Sequence, residues 1–141
     1  MIQKQKISGG LQMNKNQIFI RCGTDYKEMT KLLLEDSDLA GQIGDREKLI
    51  GIKPNLVSPV EASWGGTTHP EVVAGIIEYL QKYDFHKIVM LEGSWVGDRT
   101  QEAYQVCGFE ALSQKYQVPF WDMQKDKGVA VECGGMTLNV C

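Results

Sequence analysis

Short apolar runs alternate along the chain with longer stretches in which apolar residues recur at helical spacing. The apolar runs predict strands, and they lie at residues 17–22, 49–52, 87–91 and 118–121. The helical spacing falls between or after them, at residues 26–40, 72–80, 100–106 and 109–116. Two further apolar runs, 129–133 and 136–140, flank Gly134-Gly135, and this pattern predicts a β-hairpin at the end of the sequence.

The order of these elements indicates the fold class. Strands that alternate with helices require crossover connections, which are right-handed and build a mainly parallel sheet. We therefore predict a three-layer α/β fold with helices on both faces of the sheet and an added C-terminal hairpin. Residues 16–141 would form this single domain, preceded by a flexible leader at residues 1–15, where the sequence is polar and shows no period. No Gly-x-Gly-x-x-Gly follows the first predicted strand, so a dinucleotide-binding fold is not predicted.

Composition and charge exclude several classes of function. The chain has 141 residues, 43% of them hydrophobic, which is enough for one domain with its own core. Its net charge of -3, with both signs mixed, argues against nucleic acid as a partner. We find no membrane span and no secretory signal. The four cysteines form no Cys-x-x-Cys pair, so we expect reduced thiols in the cytoplasm and no metal ligands.

Residues whose side chains could take part in catalysis or ligand binding follow three of the predicted strands. In an open parallel sheet, ligands bind beyond the carboxyl ends of the strands. Lys53 would bring a cation to this edge. There, burial would lower the pKa of the lysine, or Glu92 would form an ion pair with it. The alternative is a solvated lysine that merely ends a strand. We predict Lys53 and Glu92 as catalytic residues, and at the same edge we predict these ligand-binding residues: Asn55, Gly93, Ser94 and Asp122.

A second candidate region precedes the helix that begins near Pro70. Backbone amides at a helix start favour an anion, so Thr67 and Thr68 are predicted ligand-binding residues. His69 is predicted to be catalytic, as a general base, and the role of a metal ligand is the alternative for its imidazole. Thr68 and Glu71 are also spaced as a capping box, and simple capping of the helix is the alternative explanation.

Four sequence blocks resemble the domain of unknown function family 362. They are IKPNLV at 52–57, TTHPEVV at 67–73, EGS at 92–94 and VCGFEAL at 106–112. The order and spacing are similar from about Asn16 to the C-terminus.

The resemblance implies a soluble, mostly prokaryotic α/β protein without a settled activity. Several family members carry a ferredoxin-like iron-sulfur module on the C-terminal side. The positions to which a family site would be assigned are Lys53, Asn55, Thr68, His69, Gly93 and Ser94. The family's usual second half and its cysteine-rich module are missing here, so we expect the N-terminal part of a longer architecture, with no cofactor in this chain.

Three functions remain open from the sequence. The first is binding of a small anionic metabolite that Lys53 and the helix start at Thr68-His69 would hold, with Glu92 or Asp122 as the proton carrier. The second is a fragment of an iron-sulfur-associated redox or electron-transfer protein. The third is a non-catalytic interaction module that forms a homo-oligomer through the C-terminal hairpin, with Trp64 and Trp95 contributing to the contact.

Overall fold

The computed structural model describes residues 17–94 and 99–140. The five helices within these ranges are α1 (Tyr26–Asp36), α2 (Leu39–Ile43), α3 (Pro70–Lys82), α4 (Thr100–Val106) and α5 (Phe109–Tyr116). The strands are β1 (Ile50–Ile52), β2 (Ile88–Glu92), β3 (Phe120–Asp122), β4 (Val129–Cys133) and β5 (Met136–Val140), and single 3₁₀ turns lie at Ala62–Trp64 and Met123–Lys125. The predicted leader at residues 1–15 and Trp95 lie outside the described residues.

Three parallel strands form the main sheet, in the order β1-β2-β3. The register pairs Ile52 with Met90 and Met90 with Phe120, and it places Glu92 beside Asp122 at the carboxyl ends of β2 and β3. The antiparallel pair β4-β5 forms a separate two-stranded sheet. The predicted α/β class, the parallel sheet and the C-terminal hairpin are therefore confirmed.

The hydrophobic core lies on one face of the sheet. Ile52, Ile88 and Met90 point to this face and are buried in one cluster with apolar residues of all five helices. The predicted layer of helices on the other face is absent from the described residues. Topology explains this difference, because right-handed crossovers that proceed in one direction, from β1 to β2 to β3, place their helices on the same side.

The strand predicted at residues 17–22 is wrong, because this segment has no regular secondary structure. Ile18 and Ile20 are largely exposed, at 82% and 77%, and only Phe19 between them is partly buried. The β-propensity of such a short run is decided by packing against neighbouring strands, and this segment pairs with none of the described strands. Arg21 instead forms an ion pair with Asp36 at the end of α1.

The single helix predicted at residues 26–40 is two helices in the structure. Asp25 caps α1 by accepting a hydrogen bond from the backbone N–H of Glu28 at 2.9 Å. Asp38, in the left-handed conformation at φ 50°, breaks the helix and caps α2. Gly41 lies inside α2, and Gly44 at φ 71° ends that helix.

No helix in the described part of the chain combines the length and the apolar character needed to cross a bilayer.

Candidate functional site

A lysine and a buried glutamate meet at the carboxyl ends of β1 and β2. The Lys53 ammonium donates a hydrogen bond to Oε2 of Glu92 at 2.5 Å. Alternation along β2 places Glu92 on the core face, where it is only 4% exposed. Lys53 follows the last residue of β1, and 55% of its side chain is exposed. The predicted pairing of these two side chains is thus present in the structure.

The neighbouring strand end carries a second carboxylate with its own lysine. Asp122 is in register with Glu92, and its side chain is 11% exposed. One carboxylate oxygen accepts a hydrogen bond from the backbone N–H of Gln124 at 3.1 Å, and the other lies 3.5 Å from the ammonium of Lys125. The edge therefore holds two shielded carboxylates, each beside a lysine.

Gly93 and Ser94 follow β2 and pack against the 3₁₀ turn that comes after β3. A Cβ on Gly93 would lie 3.3 Å from the Cβ of Met123, so a small residue lets the 3₁₀ turn approach closely. The Ser94 backbone N–H donates to the hydroxyl of Thr100 at 3.1 Å, and the two hydroxyls are 2.9 Å apart. Gln124 donates from Nε2 to the carbonyl of Ser94 at 2.6 Å. Ser94 is buried and engaged in this network.

Thr100 and Gln124 were not among the predicted site residues. Gln124 had a local signal, because an aspartate two residues before it commonly accepts the backbone N–H in an Asx turn. Thr100 gave no signal beyond its place at the first position of a predicted helix. Both residues support the edge by fixing Ser94.

The loop after β1 satisfies its polar groups internally. The Asn55 backbone N–H donates to the hydroxyl of Thr68 at 2.9 Å, and the Thr68 N–H returns a bond of 2.9 Å to the carbonyl of Asn55. The Asn55 amide donates to the carbonyl of Gly66 at 3.0 Å, and the Thr67 hydroxyl donates to that of Val60 at 3.2 Å. These contacts hold the chain from the end of β1 to the start of α3.

The predicted capping box at Thr68 and Glu71 is wrong. His69 is the N-cap residue of α3, and no side chain caps that position. The Thr68 hydroxyl accepts its bond from Asn55 instead, because the returning loop brings the Asn55 N–H within reach. The prediction of a proline in the first turn is confirmed, since Pro70 begins the helix.

His69 belongs to a different group of side chains. Its ring lies against that of Tyr26, with centroids 4.4 Å apart, and its Nδ1 is 4.0 Å from a carboxylate oxygen of Glu71. Thr24 and Asp25 complete the lining of a shallow hollow of about 460 Å³ around these residues. The structure therefore brings Lys53 and Glu92 together but directs His69 towards the start of α1.

The cysteines are dispersed in the part of the chain that the structure describes. Cys22 and Cys133 are exposed, and Cys107 is buried. Burial raises the pKa of the Cys107 thiol against the opposing effect of a hydrogen bond with Thr67, and the thiol donates to the carbonyl of Val60 at 3.1 Å. Within residues 17–94 and 99–140, no three His, Cys, Asp or Glu side chains are placed to hold a metal ion.

Residues 50–141 match the family described as "Domain of unknown function (DUF362)". The chain belongs to the DUF362 family. The match starts at β1, so the resemblance predicted from about residue 16 is confirmed from residue 50 onward, and α1 and α2 precede it. No curated protein and no solved structure matched the chain.

The DUF362 match covers the whole edge described above. It includes both strand ends that carry Lys53 and Glu92, the closed loop with Asn55, and Asp122 with its 3₁₀ turn. It also covers His69, although Tyr26, the aromatic partner of that histidine, lies outside it. The description of DUF362 states no activity, so the function has to be argued from the geometry of the edge.

Proposed function

We propose that this DUF362 domain binds a small anionic ligand, such as a phosphate or a carboxylate, at the carboxyl end of its parallel sheet. The observation that carries this proposal is the Lys53–Glu92 pair, in which a half-exposed ammonium rests on a buried carboxylate. The location supports it as well, because open parallel sheets bind their ligands beyond the carboxyl ends of the strands.

The lysine retains hydrogen-bonding capacity for a ligand. An ammonium group has three N–H donors, and the bond to Glu92 uses one of them. The short contact also fixes the long side chain, so little conformational entropy remains to be lost when a ligand binds. Lys53 is therefore a positioned cation at an accessible edge, which is the requirement for holding an anion.

The carboxylates supply the second part of the proposed site. Glu92 is shielded from solvent and lies beside Asp122 in the register of the sheet. A carboxylate next to a bound ligand can accept a proton from it, provided that the two groups come within hydrogen-bond reach. We assign Glu92 the role of proton acceptor and Asp122 that of its neighbour, held by the Gln124 backbone N–H.

Titration calorimetry with inorganic phosphate and with citrate tests the proposal. The wild-type domain should bind at least one of them saturably. The substitution Lys53→Met should weaken binding by about tenfold or more, because a charged hydrogen bond contributes roughly 1.5–3 kcal/mol. Circular dichroism at low temperature establishes that the variant remains folded during the titration.

Lys87→Met is the matched control. Lys87 lies at the opposite end of β2, forms an ion pair with Glu47 at 2.8 Å, and is 57% exposed, close to the exposure of Lys53. It should leave binding unchanged. Equal affinity in wild type and Lys53→Met would contradict the proposal. Equal losses of affinity in both lysine variants would also contradict it, because the effect would then not be specific to the edge.

A further inference from the structure

The sheet has an apolar face that no helix covers within the described residues. Leu49, Val89, Leu91, Trp121 and Met123 line an open hollow of about 470 Å³ on this face, with Asp126 at its border. Leu49 is 72% exposed and Trp121 is 56% exposed. Large apolar side chains gathered on one exposed surface are typical of an interaction site.

The C-terminal hairpin presents a second apolar surface. Because side chains alternate along a strand, the register places six apolar residues on one side of the β4-β5 pair. These residues, here called the hairpin face, are Val129, Val131, Cys133, Met136, Leu138 and Val140. Every residue of both strands is exposed. A two-stranded hairpin alone is marginally stable in water, so this one requires a surface to pack against.

We propose that the two surfaces cover each other between two copies of the chain. The hairpin face of one copy would pack on the open sheet face of its partner, and the reciprocal contact would follow from two-fold symmetry. Both surfaces are apolar, both are β-structures, and stacked sheets pack about 10 Å apart with interdigitating side chains. A second copy is therefore a partner that carries the complement of each surface.

The size of the two surfaces agrees with a stable dimer. Each copy contributes five side chains from the sheet and six from the hairpin. Stable interfaces use about 20–30 residues on each side, so these apolar residues would form roughly half of one, as its core.

The connection between the two surfaces favours exchange between copies. Only residues 126–128 separate the 3₁₀ turn, whose Met123 lines the open face, from the start of β4. In the structure the hairpin is not part of the main sheet, and both of its strands are exposed. Short connections of this kind are a common origin of reciprocal exchange.

Sedimentation velocity of the full chain over the micromolar range tests the proposal. The wild type should be a dimer, whereas Trp121→Glu on the sheet and Leu138→Glu on the hairpin should each be monomeric. Both side chains are already about half exposed, so the charge should leave the fold intact, which circular dichroism verifies. Ala130→Glu puts the same charge on the opposite side of the same hairpin and should remain dimeric.

Mixing the two monomeric variants distinguishes reciprocal packing from other dimers. A mixture of Trp121→Glu and Leu138→Glu contains one fully wild-type contact in each mixed pair, so it should recover dimer that neither variant forms alone. A monomeric wild type would overturn the proposal. So would a dimer that survives Trp121→Glu but not Leu138→Glu, because the hairpins would then pair only with each other, and so would a mixture that stays monomeric.

Discussion

Glu92 is the residue whose surroundings explain most about the candidate site. Its carboxylate is 4% exposed and lies in a strand whose other core-facing residues, Ile88 and Met90, are apolar. A buried charge is tolerated only when it is paired and hydrogen-bonded, and Lys53 satisfies both needs with one contact. The pair therefore contributes to stability as well as to the proposed binding of anions.

Removal of the lysine should consequently destabilise the domain. Lys53→Met leaves the buried carboxylate of Glu92 without the ammonium that it accepts a bond from, and an unsatisfied buried group costs about 1–3 kcal/mol, or more when it is charged. Urea denaturation at neutral pH measures this free energy of unfolding. The control Lys87→Met breaks an exposed pair and should cost less than about 1 kcal/mol. Equal losses in the two variants would contradict the view that burial of Glu92 makes the difference.

Glu78 connects three helices through its carboxylate. It lies on α3, accepts a hydrogen bond from the hydroxyl of Tyr116 on α5 at 2.7 Å, and receives another from Lys27 on α1 at 3.1 Å. The Tyr116 bond is the largest influence on the pKa of Glu78, and with Lys27 it outweighs burial and lowers that pKa.

A lowered pKa in the folded state predicts a specific loss of stability in acid. The contribution of Glu78 is complete above the pKa of glutamate in the unfolded chain, about 4.3, and disappears as the pH falls through the lower folded value. The urea midpoint of Glu78→Gln should therefore decline less steeply than that of the wild type below about pH 4.3. Parallel curves for the two proteins through this range would show that the linkage is absent.

At the scale of elements, the sequence predicted best those segments that carry their own end signals. The bounds of α4, α5 and both hairpin strands agree with the prediction, because Gly108 and Gly134-Gly135 punctuate them and adopt positive φ. Segment 17–22 has the composition of a strand but no strand beside it, and composition does not reveal the neighbour.

In the candidate site, too, some features follow from the order of the elements, and others depend on contacts between residues far apart in the sequence. Element order sufficed to bring Lys53 and Glu92 to one edge, since parallel strands end together. The contact of His69 with Tyr26 depends on where α1 docks, and the spacing of residues along the chain does not reveal it. The Thr68 hydroxyl was predicted to cap a helix but is used by Asn55 across the loop, a contact that spacing along the chain cannot show.

The packing of α1 on α3 depends on Gly75. A Cβ at this position would lie 2.6 Å from the carbonyl oxygen of Lys27 and 2.9 Å from the Cβ of Thr30. Gly75→Ala should therefore force the two helices apart and destabilise the domain by about 1–3 kcal/mol, although alanine favours a helix more than glycine does. Gly66→Ala, at a loop position with open space around it, should change stability by less than about 0.5 kcal/mol. A Gly75→Ala variant as stable as the wild type in urea would contradict this close packing.

At the scale of the molecule, one topological fact has two consequences. Strands added in a single direction with right-handed crossovers place α3, α4 and α5 on one face of the sheet, and α1 packs on α3. This builds the core on that face and leaves Val89, Leu91 and Trp121 on an open face. The same parallel arrangement brings the carboxyl ends of the strands together at one edge, where Lys53, Glu92 and Asp122 lie. The proposed dimer uses the face, and the proposed ligand uses the edge.

Amide chemical shifts during a titration with inorganic phosphate test the central claim most directly. If the Lys53–Glu92 edge binds the anion, saturable shifts should concentrate at the backbone amides of Lys53, Asn55 and Gly93, and Lys53→Met should move the midpoint of the titration to a phosphate concentration about tenfold higher or more. Shifts that increase linearly without saturation, or that are largest around Tyr26 and His69, would contradict the account.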